Sequence, residues 1–184
     1  MAGAFSGCYR IDANGNQIGV IRNKATTCSF KDLFLRETNL IAPTQLLRLD
    51  CVKRTGGYKN DLYIEDLYMW LALTENGDKL GIVDELLVEY RQHDANACAN
   101  PAEMYKHRIA VLGHFSGSPL FQKAMAINSL LLSHYYATSS KTMSVKFIRE
   151  GFDHYKKIVF TMIFLKGAVK LAMPKNMLNF VRAK

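Results

Sequence analysis

The sequence lacks the spacings of cysteine and histidine that metal-binding motifs require. Its four cysteines lie far apart and form no CxxC pair (Cys8, Cys28, Cys51 and Cys98). We therefore expect free thiols in a reducing compartment, and neither a disulfide framework nor a zinc site. Gly-rich phosphate loops, nucleophile elbows, HExxH motifs and the order of a Ser/His/Asp triad are also absent.

Long hydrophobic runs are missing as well. The longest apolar run near the carboxyl end, 158–165, contains Thr161 and falls short of the roughly 20 residues that a membrane-spanning helix needs. The first residues, MAGAFSGCYRID, show no basic region followed by an apolar core, so we expect no signal peptide. With 49% hydrophobic residues over 184 positions, the chain can form one globular domain, or one domain with a helical appendage.

Acidic residues are scarce in one part of the chain only. The net charge is +8, and residues 141–184 carry the entire excess, with ten Lys or Arg against Glu150 and Asp153. In this tail cations alternate with apolar residues, which is typical of a helix on an anionic membrane surface. A helical hairpin with a solvated basic face explains the pattern equally well. We expect no nucleic-acid partner, because no binding motif accompanies the charge.

Turn residues and hydrophobic periodicity divide the chain into a mixed part and a helical part. Residues 8–22 are predicted to form a β-hairpin whose turn contains Asn-Gly, which tolerates positive φ. Two further extended segments are predicted at 80–84 and 86–92. Helices are predicted around 30–35 and at 43–52, 66–75, 102–114, 119–137, 141–165 and 174–182. The predicted class is α/β in the sense of an α+β mixture, with a mixed domain at 1–98 and an all-helical region at 99–184.

Two adjacent carboxylates, Glu65 and Asp66, lie where a loop meets a predicted helix. Backbone N–H groups and the helix dipole stabilise an acid there, so a helix cap explains the pair when it is taken alone. The surroundings favour a second interpretation, because Tyr58 and Tyr63 precede the acids and Trp70 follows them. Aromatic rings that pack on sugar C–H faces, beside carboxylates that bind hydroxyls, are typical of carbohydrate sites. For Trp70, core packing on the buried side of its helix is the alternative.

A cation and an imidazole end the last extended segment. Arg91 and His93 lie two residues apart, so their side chains share one face of a strand. Arginine suits a phosphate group, and histidine can ligate a metal or donate to a phosphate oxygen. A surface Arg and His at the end of a strand is the alternative interpretation.

Taken together, these residues resemble the second half of family-2 glycosyltransferases of the GT-A fold. The segments Gly56–Leu71, Ile82–Leu87 and Tyr90–Asn96 are similar to the family patterns GGF…EDxxLWLRL and IDEPLxxYRxHxxN. The segment Tyr9–Asn16 resembles the hairpin that follows the family's metal-binding DxD motif. The resemblance covers residues 5–98 and implies a partial GT-A-like mixed sheet with helices.

The resemblance also implies an activity. Members transfer a sugar from a nucleotide-sugar donor to a saccharide or lipid-linked acceptor by inverting displacement, as in surface polysaccharide biosynthesis. It makes Asp66 the catalytic base, with Glu65 orienting it or binding the acceptor, and Trp70 and Tyr63 binding substrate. Arg91 and His93 would lie near the donor diphosphate. His93 is also a candidate ligand of the divalent metal, Mn or Mg, expected in the complete enzyme.

The sequence departs from the family in two respects. It contains no DxD motif and no amino-terminal nucleotide-binding strands, and Leu67-Tyr68-Met69 replaces the usual Trp/Tyr-Asp-Leu after the acid pair. We therefore expect an acceptor-side portion, truncated or one half of a split gene, that is inactive alone. We expect it in the cytoplasm or at the inner face of the membrane, and an unpaired sheet edge would favour a homo-oligomer. The alternative is a non-catalytic membrane- or partner-binding module built on a glycosyltransferase remnant.

Overall fold

The computed structural model describes residues 1–93 and 100–172. They belong to two compact units, Met1–Ala99 and Asn100–Lys184. The first unit combines a sheet with helices and the second is helical, so the chain has the α+β composition that the sequence predicts. The division falls one residue beyond the predicted domain boundary.

The first unit contains a five-stranded mixed sheet with β1 at its centre. β1 pairs antiparallel with β2, which confirms the predicted hairpin, and parallel with β5. The turn between β1 and β2 closes because the Asp12 carboxylate accepts hydrogen bonds from the N–H groups of Asn14 and Asn16. The strands are β1 (Gly3–Ile11), β2 (Gln17–Ile21), β3 (Thr27–Cys28), β4 (Leu46–Leu47) and β5 (Leu80–Arg91).

Three helices accompany this sheet: α1 (Phe30–Phe34), α2 (Leu49–Arg54) and α3 (Glu65–Thr74). α1 begins with a capping box in which Ser29 and Asp32 bond to each other's backbone N–H groups. The helix predicted around 30–35 and the one predicted from 66 are confirmed. The core contains large side chains from strands and helices alike, all nearly inaccessible to solvent (Phe5, Phe34, Met69, Leu71 and Leu80).

The helix predicted at 43–52 is wrong in its first half. Ala42–Thr44 is a 3₁₀ turn, with Pro43 near its start, and Leu46–Leu47 then pairs with Gly3 and Ala4 of β1. The apolar spacing of this segment suits a helix, but the edge of β1 offers backbone hydrogen bonds that a helix here would leave unmade. Only Leu49–Arg54 is helical.

The two extended segments predicted at 80–84 and 86–92 form one strand, β5. The acidic pair Asp84-Glu85, which suggests a break, lies opposite the place where the β1–β5 register shifts around Gly7. A bulge accommodates the polar pair without ending the strand. Along its other edge, β5 is paired with β3 at Leu80 and Gly81.

The second unit is built around α5. Pairs of small residues let α5 and α6 approach closely: the Ser133 and Ser144 hydroxyls are 2.9 Å apart, and a Cβ on Gly151 would lie 3.2 Å from the Ala126 carbonyl oxygen. Asn100 caps α4 and Ser140 caps α6 through their side-chain oxygens. The helices are α4 (Pro101–Gly113), α5 (Phe121–Tyr136), α6 (Lys141–His154) and α7 (Met162–Ala172).

The single helix predicted at 141–165 is wrong, because the chain breaks twice. Tyr155 is extended after α6, a 3₁₀ turn follows at Lys156–Phe160, and Thr161 is extended before α7. The Thr161 hydroxyl accepts a hydrogen bond from the Phe164 N–H, so this residue starts a new helix within the apolar run. The helix predicted at 174–182 lies outside the described residues.

Two sequence expectations concern cysteines and membrane spans. Cys8, Cys28 and Cys51 are buried free thiols, as expected, and burial raises the pKa of Cys28 to about 12; Cys98 lies outside the described residues. Within residues 1–93 and 100–172, no helix combines the length and apolar character needed to cross a membrane.

Candidate functional site

Asp66 occupies the first turn of α3 and is half-buried. Burial raises the pKa of its carboxyl group, and the negative charge of the neighbouring Glu65 raises that pKa further. A hydrogen bond from the Leu67 N–H to Asp66 Oδ1 (2.6 Å) lowers it in part. A raised pKa makes a carboxylate a stronger proton acceptor once it is ionised. Asp66 is therefore a half-buried carboxylate with a raised proton affinity, in a helix whose N-cap has no side-chain hydrogen bond.

Tyr58 lies within electrostatic reach of this carboxylate. Burial raises the pKa of the Tyr58 hydroxyl, the negative charges of Asp66 and Glu65 raise it further, and hydrogen bonding to the Gln45 side chain opposes the rise. The hydroxyl therefore stays protonated near neutral pH and can donate a hydrogen bond. The Tyr58 residue as a whole is 42% exposed.

Trp70 is joined to the same group of residues through Gln45. The indole Nε1–H of Trp70 donates to Gln45 Oε1 at 2.9 Å, and the Trp70 ring meets Phe5 edge to face, with ring centroids 5.3 Å apart. Trp70 is buried, as the core-packing alternative holds. We call Gln45, Tyr58, Asp66 and Trp70 the Asp66 cluster.

Gln45 is the member of the Asp66 cluster that the sequence analysis missed. It follows the 3₁₀ turn and lies 25 residues before the tryptophan it contacts. A buried indole N–H usually finds an acceptor, which indicates that Trp70 needs a partner. Which residue supplies the oxygen depends on the path of the chain between β4 and α3, and local sequence gives no signal for it.

Glu65 and Tyr63 are the remaining predicted site residues near the start of α3. Both side chains are exposed, and the Glu65 charge raises the pKa of Asp66 and of Tyr58. Glu65 is thus close enough to influence the cluster electrostatically. Tyr63 lies in the loop directly before α3, where 53% of it is exposed.

Arg91 and His93 are placed elsewhere, at the hairpin end of the sheet. Arg91 Nη1 donates to the backbone oxygens of Asp12 (3.0 Å) and Ala13 (2.9 Å) in the hairpin turn. His93, two residues further on, is exposed. The Arg91 guanidinium thereby joins the end of β5 to the turn that follows β1.

The structure therefore brings some of the predicted site residues together and separates others. Arg91 pairs with Ile11 of β1, whereas Trp70 contacts Phe5 of the same strand. Phe5 and Ile11 are six residue steps apart along β1, or about 20 Å. Asp66 precedes Trp70 by one helical turn, about 6 Å along α3.

Potential metal ligands do not come together in the described part of the chain. In residues 1–93 and 100–172, which include His93, no group of three or more His, Cys, Asp or Glu side chains is arranged to hold a metal ion. The predicted divalent metal has no fitting ligand set in this part of the chain, so no chemical step is assigned to it.

Comparison with known proteins adds no family. No model of a known protein family matches the chain, and no curated protein is significantly similar to it.

Proposed function

We propose that this chain provides the acceptor side of a glycosyl-transfer site. In this proposal, a sugar passes from a nucleotide-sugar donor to a saccharide acceptor in the assembly of a surface polysaccharide. The observation that carries the proposal is the half-buried Asp66 carboxylate, whose pKa is raised, within electrostatic reach of the Tyr58 hydroxyl, which hydrogen-bonds to the Gln45 side chain. The resemblance of residues 5–98 to family-2 glycosyltransferases supports it.

The proposed reaction is a single displacement with inversion. The acceptor hydroxyl oxygen attacks the anomeric carbon of the donor while the bond from that carbon to the phosphate oxygen breaks. The bonding electron pair leaves with the nucleoside diphosphate, and the acceptor proton moves to the Asp66 carboxylate. General-base catalysis of this kind contributes about 10²- to 10⁴-fold to a rate.

The remaining members of the Asp66 cluster have separate roles in this proposal. Tyr58 and Gln45 hydrogen-bond to acceptor hydroxyls, and the exposed Tyr63 ring packs against a sugar face. Trp70 acts differently from the sequence expectation: because its ring is buried on Phe5, it positions Gln45 and does not stack on the sugar. Glu65 assists by raising the proton affinity of Asp66.

Arg91 and His93 remain the candidates for the donor diphosphate. The guanidinium of Arg91 already donates to two turn carbonyls, and the strand geometry places it far from Trp70. A diphosphate at this position would have to reach Arg91 through its other nitrogens or displace the turn contacts. The donor side of the proposal therefore rests on the resemblance alone.

Saccharide binding tests the proposal with this chain. Trp70 is the only tryptophan, so its fluorescence reports on the Asp66 cluster when the chain is titrated with a panel of oligosaccharides. We expect a saturable change with at least one acceptor, weakened at least tenfold by Gln45→Ala, since a ligand hydrogen bond and the Trp70 acceptor are both lost. Gln17→Ala, at an exposed position of β2, is the matched control and should change nothing. Absence of saccharide binding by the folded chain would contradict the proposal.

Transfer activity tests the role of Asp66. In the intact enzyme, measured as nucleoside diphosphate released from nucleotide-sugars in the presence of an acceptor, Asp66→Asn should lower kcat about 10²- to 10⁴-fold with little change in acceptor affinity. Asp61→Asn, a nearby exposed acid, should keep full activity. Full transfer by Asp66→Asn would show that another group is the base.

Donor binding is a separate question. Because the sequence contains no DxD motif, we expect isothermal titration of the chain with uridine diphosphate and Mn²⁺ to show weak or no binding. Tight binding would show that donor contacts lie within this chain after all.

A second candidate function is a non-catalytic module that binds a membrane or partner on a glycosyltransferase scaffold. The observation that favours it is the use of Arg91 as a structural clamp on the hairpin turn. The saccharide titration separates the two candidates, because a scaffold without acceptor chemistry has no reason to bind sugar through Gln45 and Asp66.

A further inference from the structure

One face of α7 packs against α5, and these contacts set the orientation of the helix in its unit. Gly167 is buried, and a Cβ placed on it would lie 2.7 Å from His134 Nε2, so α7 lies close against α5 at this point. His134 Nε2 is also 2.9 Å from the Ile163 carbonyl oxygen. These contacts fix which side of α7 is turned inward.

The opposite side of α7 is apolar and exposed. Met162, Leu165 and Val169 follow the i, i+3, i+7 spacing of a single helix face, and their exposed fractions are 64%, 53% and 45%. Phe160, at the end of the preceding 3₁₀ turn, is 88% exposed. Because α7 packs through its other side, this apolar row stays in contact with water unless a partner or a surface covers it.

Lysines lie along one side of this row and just before it in sequence, and the segment 155–172 contains no acid. Lys166 and Lys170 come four and eight residues after Met162, so both lie on the side of α7 next to the apolar row. Lys156 and Lys157 are exposed just before Phe160. Between Tyr155 and Ala172 the sequence contains no Asp or Glu. The nearest acid in sequence is Asp153, an exposed residue of α6. Glu150, three residues earlier, lies 3.7 Å from Lys146 within the same helix.

We propose that Lys156–Ala172 docks on an anionic lipid bilayer, with α7 parallel to the surface. We call this segment the α7 surface. Its apolar row would enter the boundary between headgroups and acyl chains, while the lysines would bind lipid phosphates and carboxylates. The docking proposed for this segment is peripheral: the described part of α7, Met162–Ala172, has 11 residues, and a spanning helix needs about 20.

The charge of the α7 surface favours a lipid surface over a second copy of the chain. Two copies meeting face to face would bring eight lysines together without an acid from these segments, which like-charge repulsion disfavours. An anionic bilayer is complementary to the same charges. Each lysine near such a surface contributes about 1 kcal/mol, or about fivefold in affinity.

Vesicle flotation tests the proposal with the whole chain. We expect the chain to float with phosphatidylcholine vesicles containing about one third phosphatidylserine, and not with pure phosphatidylcholine. Binding should fall when the salt rises from about 0.1 to about 0.5 M. Met162→Ser with Leu165→Ser should weaken it at least tenfold by removing apolar burial, and Lys166→Gln with Lys170→Gln should weaken it about 25-fold.

Matched controls come from the other unit. Leu46→Ser with Leu49→Ser removes leucines that are 76% and 65% exposed, and Lys24→Gln with Lys53→Gln removes two exposed lysines. Both controls should float like the unchanged chain, and circular dichroism should show that every variant is folded. A Phe160→Trp variant supplies a second readout: its fluorescence should shift to the blue on anionic vesicles, beyond the constant signal of Trp70.

Three results would overturn the proposal. The first is failure of the folded chain to float with anionic vesicles. The second is equal flotation of the α7 variants and the unchanged chain. The third is self-association in solution, without lipid, that is lost in Met162→Ser with Leu165→Ser, because it would make a second copy the occupant. The proposal is independent of sugar transfer, so loss of one leaves the other standing.

Discussion

The half-buried position of Asp66 disfavours the charged form of its carboxyl group. Burial raises the pKa of its carboxyl above the usual value of about 3.9, so the folded chain binds this proton more tightly than the unfolded chain. Stability then falls as the pH rises from about 3.9 through the folded pKa, and the whole cost is present at neutral pH. A residue retained at such a cost is a candidate for function.

Asp66→Asn should therefore stabilise the protein at neutral pH. The neutral amide avoids the desolvation of a charge, and we expect the Tm at pH 7 to rise by about 2–4 °C after discounting for partial exposure. The gain should vanish below about pH 4, where the carboxyl is protonated in both states. Thermal unfolding followed by circular dichroism measures this. Asp61→Asn is the exposed control, and a lower Tm for Asp66→Asn at pH 7 would contradict the expectation.

The effect of His134 on stability changes with pH in the opposite direction to that of Asp66. Burial lowers the pKa of its imidazole, Lys170 and Lys166 lower it further, and its hydrogen bond to the Ile163 carbonyl opposes them. The folded chain thus binds this proton less tightly than the unfolded chain. Neutral His134 makes its full contribution to the free energy of unfolding above its unfolded pKa of about 6.5. That contribution is lost as the pH falls towards the pKa of His134 in the folded chain.

Stability of the helical unit should consequently decrease between about pH 7.5 and about pH 5. Urea unfolding at the two pH values measures the loss, and His134→Gln, which retains a donor for Ile163, should reduce the difference. His114→Gln, at an exposed position, should leave the difference unchanged. An NMR titration giving His134 a pKa above 6.5 would show that the helix contact favours the charged form.

At the scale of elements, the close pairing of β1 depends on Gly7. A Cβ on Gly7 would lie 2.8 Å from the Ile21 carbonyl oxygen and 2.8 Å from Leu86 Cδ2. Both neighbouring strands therefore approach β1 at a distance that only glycine permits. The position coincides with the register shift opposite Asp84 and Glu85.

Gly7→Ala should destabilise the protein by about 1–3 kcal/mol, because a backbone oxygen cannot give way as a flexible side chain does. Gly19→Ala in β2 is the matched control, since its Cβ would meet nothing nearer than Arg10 Nη1 at 3.7 Å. The free energy of unfolding of both variants, measured in urea, gives the comparison. Equal stability of the two variants would show that the sheet relaxes around Gly7.

Elements differ in how far the sequence predicts them. The β1–β2 hairpin, α1 and the starts of α4 and α6 carry their own signals, in Asp12, Ser29, Asn100 and Ser140, because these side chains bond to backbone within a few residues. β4 carries no such signal. Its residues are apolar at helical spacing, and it is a strand only because Gly3 and Ala4 lie alongside.

At the scale of the whole molecule, each unit has its own core. Trp70 is the only tryptophan and lies in the first unit, while α4–α7 belong to the second. We expect urea transitions followed by Trp70 fluorescence and by helical circular dichroism not to coincide. Superimposable transitions at both signals would show that the two cores unfold as one cooperative unit.

The residues of the candidate site also differ in whether neighbouring residues in the sequence predict them. Glu65 and Asp66 are recognisable in sequence because acids at a helix start stand out beside Tyr58, Tyr63 and Trp70. Gln45 is not, because its importance comes from a contact across 25 residues of chain. The predicted grouping of Asp66 with Arg91 also depends on the sheet, which places Arg91 beside the hairpin turn.

The sequence by itself determined the α+β composition, the hairpin, most helices and the position of the acid pair. These features follow from hydrophobic period, turn residues and caps, which act over a few neighbouring residues. The tertiary structure alone decided that Leu46–Leu47 is a strand, that Gln45 joins Trp70, and that α7 turns an apolar row outward. Those outcomes depend on which distant backbone or side chain comes alongside, and burial or pairing there outweighs local preference.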